Sequence, residues 1–326
     1  MKRVIFGLLV LIWITPAKAI ILSTKQERNT HAPSGVILNS GWQWEGQWGN
    51  FTGTIISKNT FITAAHVGGQ VGDYFTYGGR RYQTTAMYDD PQSDLRIWGI
   101  RARLTSAAPL QIQQNEVGKG MLVFGRGTQR GDEVVVNSQL KGWLWGEDDH
   151  VQSWGKNIVN GVASGLADDQ TTNVAGVKLY WNFDLNGISH EGGLSLGDSG
   201  GGVFMKDPQG AWRLAGVNFA AQSTFTIPGN DEVMHGAIVD AGGLQFGDTL
   251  VDDVAQNIPT RMYATRISAR RGWIGDVLSG RISPTASAMA APVAQGVPEP
   301  GSMACILGIG AASLRRPVRR LKLRRL

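Results

Sequence analysis

The chain has 326 residues, 42% of them hydrophobic and 17% charged, with 44 glycines and a formal net charge of +5. Ten of its 31 basic residues lie at the two ends, three before residue 19 and seven in the last dozen positions, which leaves 21 basic against 26 acidic residues in the body. A body with this negative balance has no basic footprint for nucleic acid, and its glycine content and modest charge favour many short strands over long solvated helices.

The first segment, 1–19, opens on Lys2-Arg3, continues with an apolar run from Val4 to Ile14 and ends in Ala17-Lys18-Ala19. This charged start, short apolar middle and small-x-small end is the pattern of a secretory signal peptide with cleavage after Ala19, and the apolar run is short for a membrane anchor. From Ile20 to about residue 280 the chain reads as one all-β region, with β-branched and aromatic runs broken by Gly, Asn and Asp every 8–12 residues or so. Thr52–Ile56, Thr60–Thr63, Gly120–Phe124, Glu133–Val136 and Trp212–Val217 are examples. Five histidines are present, and His66 is distinguished by following Phe61-Ile62-Thr63-Ala64-Ala65, a strand pattern that ends in small residues and leaves an imidazole free to face a cleft. In Ser93-Asp94-Leu95-Arg96-Ile97 a carboxylate interrupts an apolar run, where burial demands a partner; Asp89 and Asp90 lie nearby as competitors. Glu147-Asp148-Asp149-His150 has the ligand types of a metal site, but nothing nearby completes a set, so it reads as a solvated loop and no metal or cofactor is expected.

Further on, Gly197-Asp198-Ser199-Gly200-Gly201-Gly202 sets a serine among residues that permit a tight turn with exposed backbone N–H groups. His190 precedes it by nine residues and reads either as a cleft residue or as an exposed loop residue. The stretch 261–278 is the best helical candidate, with Ile267, Trp273 and Ile274 facing the body and its arginines in water. Residues 281–296 are Pro-, Ala- and Ser-rich and read as a linker. The last part, 297–326, runs from Val297-Pro298-Glu299-Pro300 through an apolar segment, 303–314, to a basic end, 315–326, which is a short stop-transfer pattern. The single cysteine, Cys305, lies there, so the body relies on its core without disulfides.

Thr63-Ala64-Ala65-His66 followed downstream by Gly197-Asp198-Ser199-Gly200-Gly201 resembles the chymotrypsin/trypsin-like serine proteases, and the likeness extends over about 45–275 through the Asp94 segment and Tyr263–Ser268 with Trp273-Ile274. The resemblance implies two packed six-stranded antiparallel β-barrels with a C-terminal helix and an active site between them. It implies His66 as general base, Asp94 as orienting acid, Ser199 as nucleophile and the N–H groups of Gly197 and Ser199 as an oxyanion hole, a division of labour with a known chemical logic. Gly193 would form the floor of the primary pocket, which thus lacks an acid, and Asn218, Phe219 and Ala220 one wall.

Three departures stand out. Val67 replaces the usual cysteine after the histidine. Gly202 replaces a proline, which should loosen the backbone. No Ile-Val-Gly-Gly marks an activation site, so the hypothesis is that cleavage after Ala19 frees an Ile20 amine that pairs with Asp198. The tail resembles PEP-CTERM sorting signals, which implies a diderm bacterium, transient partnership with an exosortase at the inner membrane, and a destination in the envelope or outside the cell. The expected partner of the body is a protein or peptide substrate; the competing class is a noncatalytic binding module on the same fold.

Overall fold

The computed structural model describes residues 20–24, 29–164 and 176–285. The expected signal segment 1–19, most of the linker and the whole tail lie outside the described residues. A short strand, β1 (Ile21–Leu22), comes first. It is followed by β2 (Glu45–Trp48), β3 (Phe51–Ile55), β4 (Thr60–Ala64), β5 (Tyr74–Tyr77), β6 (Arg80–Asp89) and β7 (Leu95–Ile100). These six close into a barrel in the order β2-β3-β4-β7-β6-β5. Its interior holds Trp48, Ile55, Phe61, Phe75, Trp98 and Ile100, with the rings of Phe61 and Phe75 stacked at 4.0 Å. Gly78 and Gly79, at φ +56° and +73°, form the two-residue turn between β5 and β6, a turn whose twist requires positive φ at both positions.

The second half contains β8 (Gly120–Gly125), β9 (Thr128–Val136), β10 (Gln139–Asp148), β11 (Ser153–Ile158), β12 (Gly161–Ser164) and β13 (Val177–Phe183). They are followed by β14 (Gly192–Gly193), β15 (Gly202–Lys206), β16 (Trp212–Ala221), β17 (Thr224–Ile227), β18 (Asn230–Ile238), β19 (Gln245–Phe246), β20 (Thr249–Leu250) and β21 (Thr260–Arg266). Here the expected second six-stranded barrel is not what the ladders form. One sheet has seven strands in the order β11-β8-β15-β16-β21-β13-β12, and another has six in the order β20-β19-β17-β18-β10-β9. Both contribute to one core, in which Met121, Val123, Trp181, Val203 and Met262 of the first sheet meet Trp143 and Ala237 of the second. Closure is a property of register and strand tilt, which hydrophobic alternation does not encode.

The expected helix over 261–278 is strand for its first third. Residues 260–266 pair with β13 on one side and β16 on the other and are buried at every position but one, so a central place in a sheet overrides helical spacing. The chain turns helical only at α1 (Ile267–Leu278), which buries Ile267, Trp273, Ile274 and Val277, and Gly272 does not interrupt it. The join is held by Glu116, whose carboxylate accepts from both Arg266 and Ser268. Not all the helix arginines are in water: Arg270 reaches the buried Asp90, with Nε 2.6 Å from Oδ2. A shared apolar cluster joins the halves, combining Ile62, Ala64, Leu95 and Ile97 of the barrel with Phe124, Phe204, Leu214, Val217 and the helix residues.

Candidate active site

The site is built where β4 ends and β7 begins. These strands run antiparallel with Ala64 opposite Leu95, so the residues just beyond them, in the 3₁₀ turn Ala65–Val67 and at Asp94, are brought side by side. Ala65 N–H donates to the Asp94 carbonyl at 2.9 Å, which locks the two ends together. Asp94 then spends both carboxylate oxygens on His66: Oδ1 accepts the backbone N–H at 2.9 Å and Oδ2 lies 2.6 Å from Nδ1. On the other edge of the ring, His66 Nε2 is 2.8 Å from Ser199 Oγ. The Asp94 side chain is 3% exposed and that of His66 25%, so the carboxylate is shielded while the imidazole stays reachable. An imidazole placed this way can take the hydroxyl proton while the carboxylate fixes its tautomer and faces the charge it gains. The competing acids are otherwise engaged, Asp89 with Arg96 at 2.5 Å and Asp90 with Arg270.

Ser199 sits in the loop between β14 and β15. Its neighbours use their amides: Asp198 donates to the Ser195 carbonyl, Gly200 to Asn218 and Gly201 to Asp198. Among the described residues the N–H groups of Gly197 and Ser199 have no acceptor. Two idle donors, one of them on Ser199 itself, are an arrangement that can hold an oxyanion. Gly200 is held at φ +79°, and a Cβ there would run into Thr63 Oγ1 and the Thr52 carbonyl, so the loop is pressed against the barrel that carries His66.

Asp198 anchors the loop from beneath. Fully buried, it accepts from Gly127 N–H at 2.8 Å, Ser195 N–H at 2.7 Å, Ser195 Oγ at 2.9 Å and the backbone N–H of Ile20. Burial pushes its carboxyl up to about 6 from an ordinary 3.8, and these hydrogen bonds pull the other way. Ile20 itself is buried with φ at +44°, a region that β-branched residues avoid.

The expected pocket residues divide. Gly193 pairs with Ile21 and is packed beneath Phe183 and Met262. Phe219 turns its ring edge-on to His66, 5.8 Å between centroids, and Ala220 follows it half-exposed on β16. Asn218 is corrected from pocket wall to brace: it is fully buried, and its Nδ2 donates to the carbonyls of Phe124 at 2.7 Å and Asp198 at 2.9 Å. The side chain therefore ties the loop that carries Ser199 to β8. The His190 ring lies tilted against Trp154, 5.4 Å between centroids, and His150 pairs with Asp148 at 2.8 Å.

Gly202 has a different role from the loosening expected of it. A Cβ on it would strike the Glu45 carboxyl and the Phe204 ring, and its N–H is a hydrogen-bonding neighbour of Glu45, which a proline could not be. Glu45 is the group that sequence reasoning missed. It is buried behind the loop, accepts from Thr54 Oγ1 at 2.9 Å, and its carboxyl is pushed up to about 8 by burial, against Thr54, Gly202 and Arg126. A carboxyl that holds its proton in the fold but has an ordinary value of 4.5 when unfolded destabilises progressively as pH rises between those values. Glu45→Gln is expected to melt higher than the wild type at about pH 8 and to match it near pH 4.5, as thermal denaturation across pH would show.

No protein-family model and no curated protein sequence matches the chain. Among solved structures, the active form of the Rv3671c protease from M. tuberculosis is similar at 14% identity and a TM-score of 0.44, over 85% of this chain and 97% of that one. A mutant of human heparin binding protein is similar at 15% identity and 0.43, over 75% and 95% of the two chains. Kallikrein-related peptidase 10 in complex with Zn2+ is similar at 14% and 0.41, over 76% and 100%.

Proposed function

We propose that the protein is a serine endopeptidase of the chymotrypsin-like kind, cleaving peptide bonds through an acyl-enzyme on Ser199. The observation that carries this reading is the continuous hydrogen-bonded line Asp94–His66–Ser199, with contacts of 2.6 and 2.8 Å, ending beside two unpaired amides. His66 takes the hydroxyl proton as Ser199 attacks the carbonyl carbon. The N–H groups of Gly197 and Ser199 receive the oxyanion, and the proton passes from His66 to the leaving amine. Water then repeats the sequence to release the acid. Phe219, against His66, offers an apolar surface beside the scissile bond, which supports a preference for neutral or apolar side chains over basic ones.

Export and maturation belong to the same proposal. Removal of residues 1–19 yields an Ile20 ammonium at the place where the Ile20 N–H already meets Asp198. The cut also deletes the carbonyl that makes a positive φ costly for this isoleucine. The tail, 297–326, is then the sorting handle read by an exosortase at the inner membrane of a diderm bacterium.

The test is proteolysis of an unstructured protein, with new N-termini identified by mass spectrometry. The protein is expected to generate them and Ser199→Ala to generate none. Equal patterns from both would leave a binding module as the better reading.

A further inference from the structure

Lys178, on β13, is buried over its whole length, and its Nζ is sealed from solvent without a hydrogen-bond partner among the described residues. A solitary ammonium in a protein interior is costly and is normally paired. Three other cations of this half are paired: Lys141 with Asp240 at 2.7 Å and Asp253 at 2.8 Å, Arg266 with Glu116, and Arg270 with Asp90.

What surrounds Lys178 is the back of the triad. Its Nζ lies 4.3 Å from the centre of the Phe219 ring, the ring whose edge meets His66. On its other side runs the segment that leads into Asp94. The point where a Cβ on Gly176 would stand is 3.1 Å from Nζ and 3.2 Å from both the Gln92 carbonyl oxygen and Ser93 Cβ. Two carboxylates act on it, Asp94 and Asp90. Asp90 is already neutralised by Arg270 of α1, with both guanidinium contacts at 2.6 Å, and both oxygens of Asp94 are engaged by His66. Phe219 on β16 and Thr265, opposite Lys178 on β21, bring no charge. Burial lowers the ammonium's pKa from the ordinary lysine value, and Asp94 and then Asp90 oppose that change. Because Nζ is sealed off, Lys178 is not placed to receive a substrate carboxylate; what it projects into the site is charge.

We propose that Lys178 is a positioning residue of the triad, resting on the catalytic reading above, whose buried ammonium opposes the positive charge His66 gains from Ser199 and so extends activity to lower pH.

The experiment is the rate of fluorophosphonate labelling at Ser199 of the purified mature protein, beginning at Ile20, followed from about pH 4 to about pH 9. In Lys178→Met the acidic limb is expected to move up by about 0.5–1 pH unit, the size of one charge removed about 10 Å or less from the imidazole, the reach set by the contacts of 4.3 and 5.8 Å through Phe219, at an intermediate dielectric. The alkaline plateau should be unchanged or higher, and Lys178→Arg should keep the wild-type limb. An unmoved limb in folded Lys178→Met overturns the proposal, as does a lowered plateau with the limb in place, which is the mark of a structural role. If the methionine variant does not fold, Lys178→Gln against Lys178→Arg decides the matter in the same way, and identical limbs in these two overturn it. A wild-type protein that takes no label would instead remove the catalytic reading, a result distinct from any of these.

Discussion

Ser199→Ala and His66→Ala are each expected to lower kcat by about 10⁴–10⁶-fold, and the double variant to lose little more than either alone, because the two groups perform one proton-coupled step. The 2.8 Å contact between His66 Nε2 and Ser199 Oγ is the physical basis, since neither an isolated hydroxyl nor an isolated imidazole attacks an amide at useful rates. KM should change far less than kcat, because the apolar surface proposed to receive substrate is that of Phe219 and not of either side chain. Steady-state kinetics on a chromogenic peptide would measure this. Single losses that multiply in the double variant would mean the two residues act independently, contrary to the geometry.

The second large effect concerns the N-terminus. A glycine placed ahead of Ile20 in the mature chain, or Asp198→Asn, is expected to reduce kcat/KM by about 100-fold or more, in line with the loss of an oxyanion donor, because Asp198 holds the loop that carries both amides. The stability of the uncut chain carries a matching signature. With its carboxyl raised from 3.8 to about 6, Asp198 favours the fold less and less as pH climbs through that interval. A neighbouring ammonium reverses this by favouring the carboxylate. Thermal melts should therefore separate the two forms near neutral pH, the cut form melting higher, and bring them together near pH 4. Equal melting temperatures at neutral pH would show that the amine does not reach Asp198.

His66 and Ser199 were legible because each sits in a short local pattern whose chemistry is carried by immediate neighbours. Asp94 required a choice among three nearby acids, and the reason it prevails is long-range: the register of β4 against β7 delivers it to His66, while Arg96 and Arg270 engage Asp89 and Asp90. Glu45 and Lys178 were invisible for the same reason, since a lone Glu in β2 or Lys in β13 acquires meaning only from what the fold lays against it. Asn218 and Gly202 were misjudged through their positions in a family pattern, one being a brace and the other the space for a buried carboxyl. Strand positions in both halves followed from alternation and turn residues. The failure to close a second six-stranded barrel, and the strand hidden in 260–266, depend on pairing partners distant in the chain.

The central claim is that Ser199 is a nucleophile activated by His66 and served by the amides of Gly197 and Ser199. Its most direct test is mass spectrometry of the folded protein after exposure to a fluorophosphonate. A single adduct on the peptide containing Ser199, absent in Ser199→Ala and strongly slowed in His66→Ala, is the predicted result. A folded protein that begins at Ile20 and remains unmodified, or that is labelled equally well without His66, would contradict it.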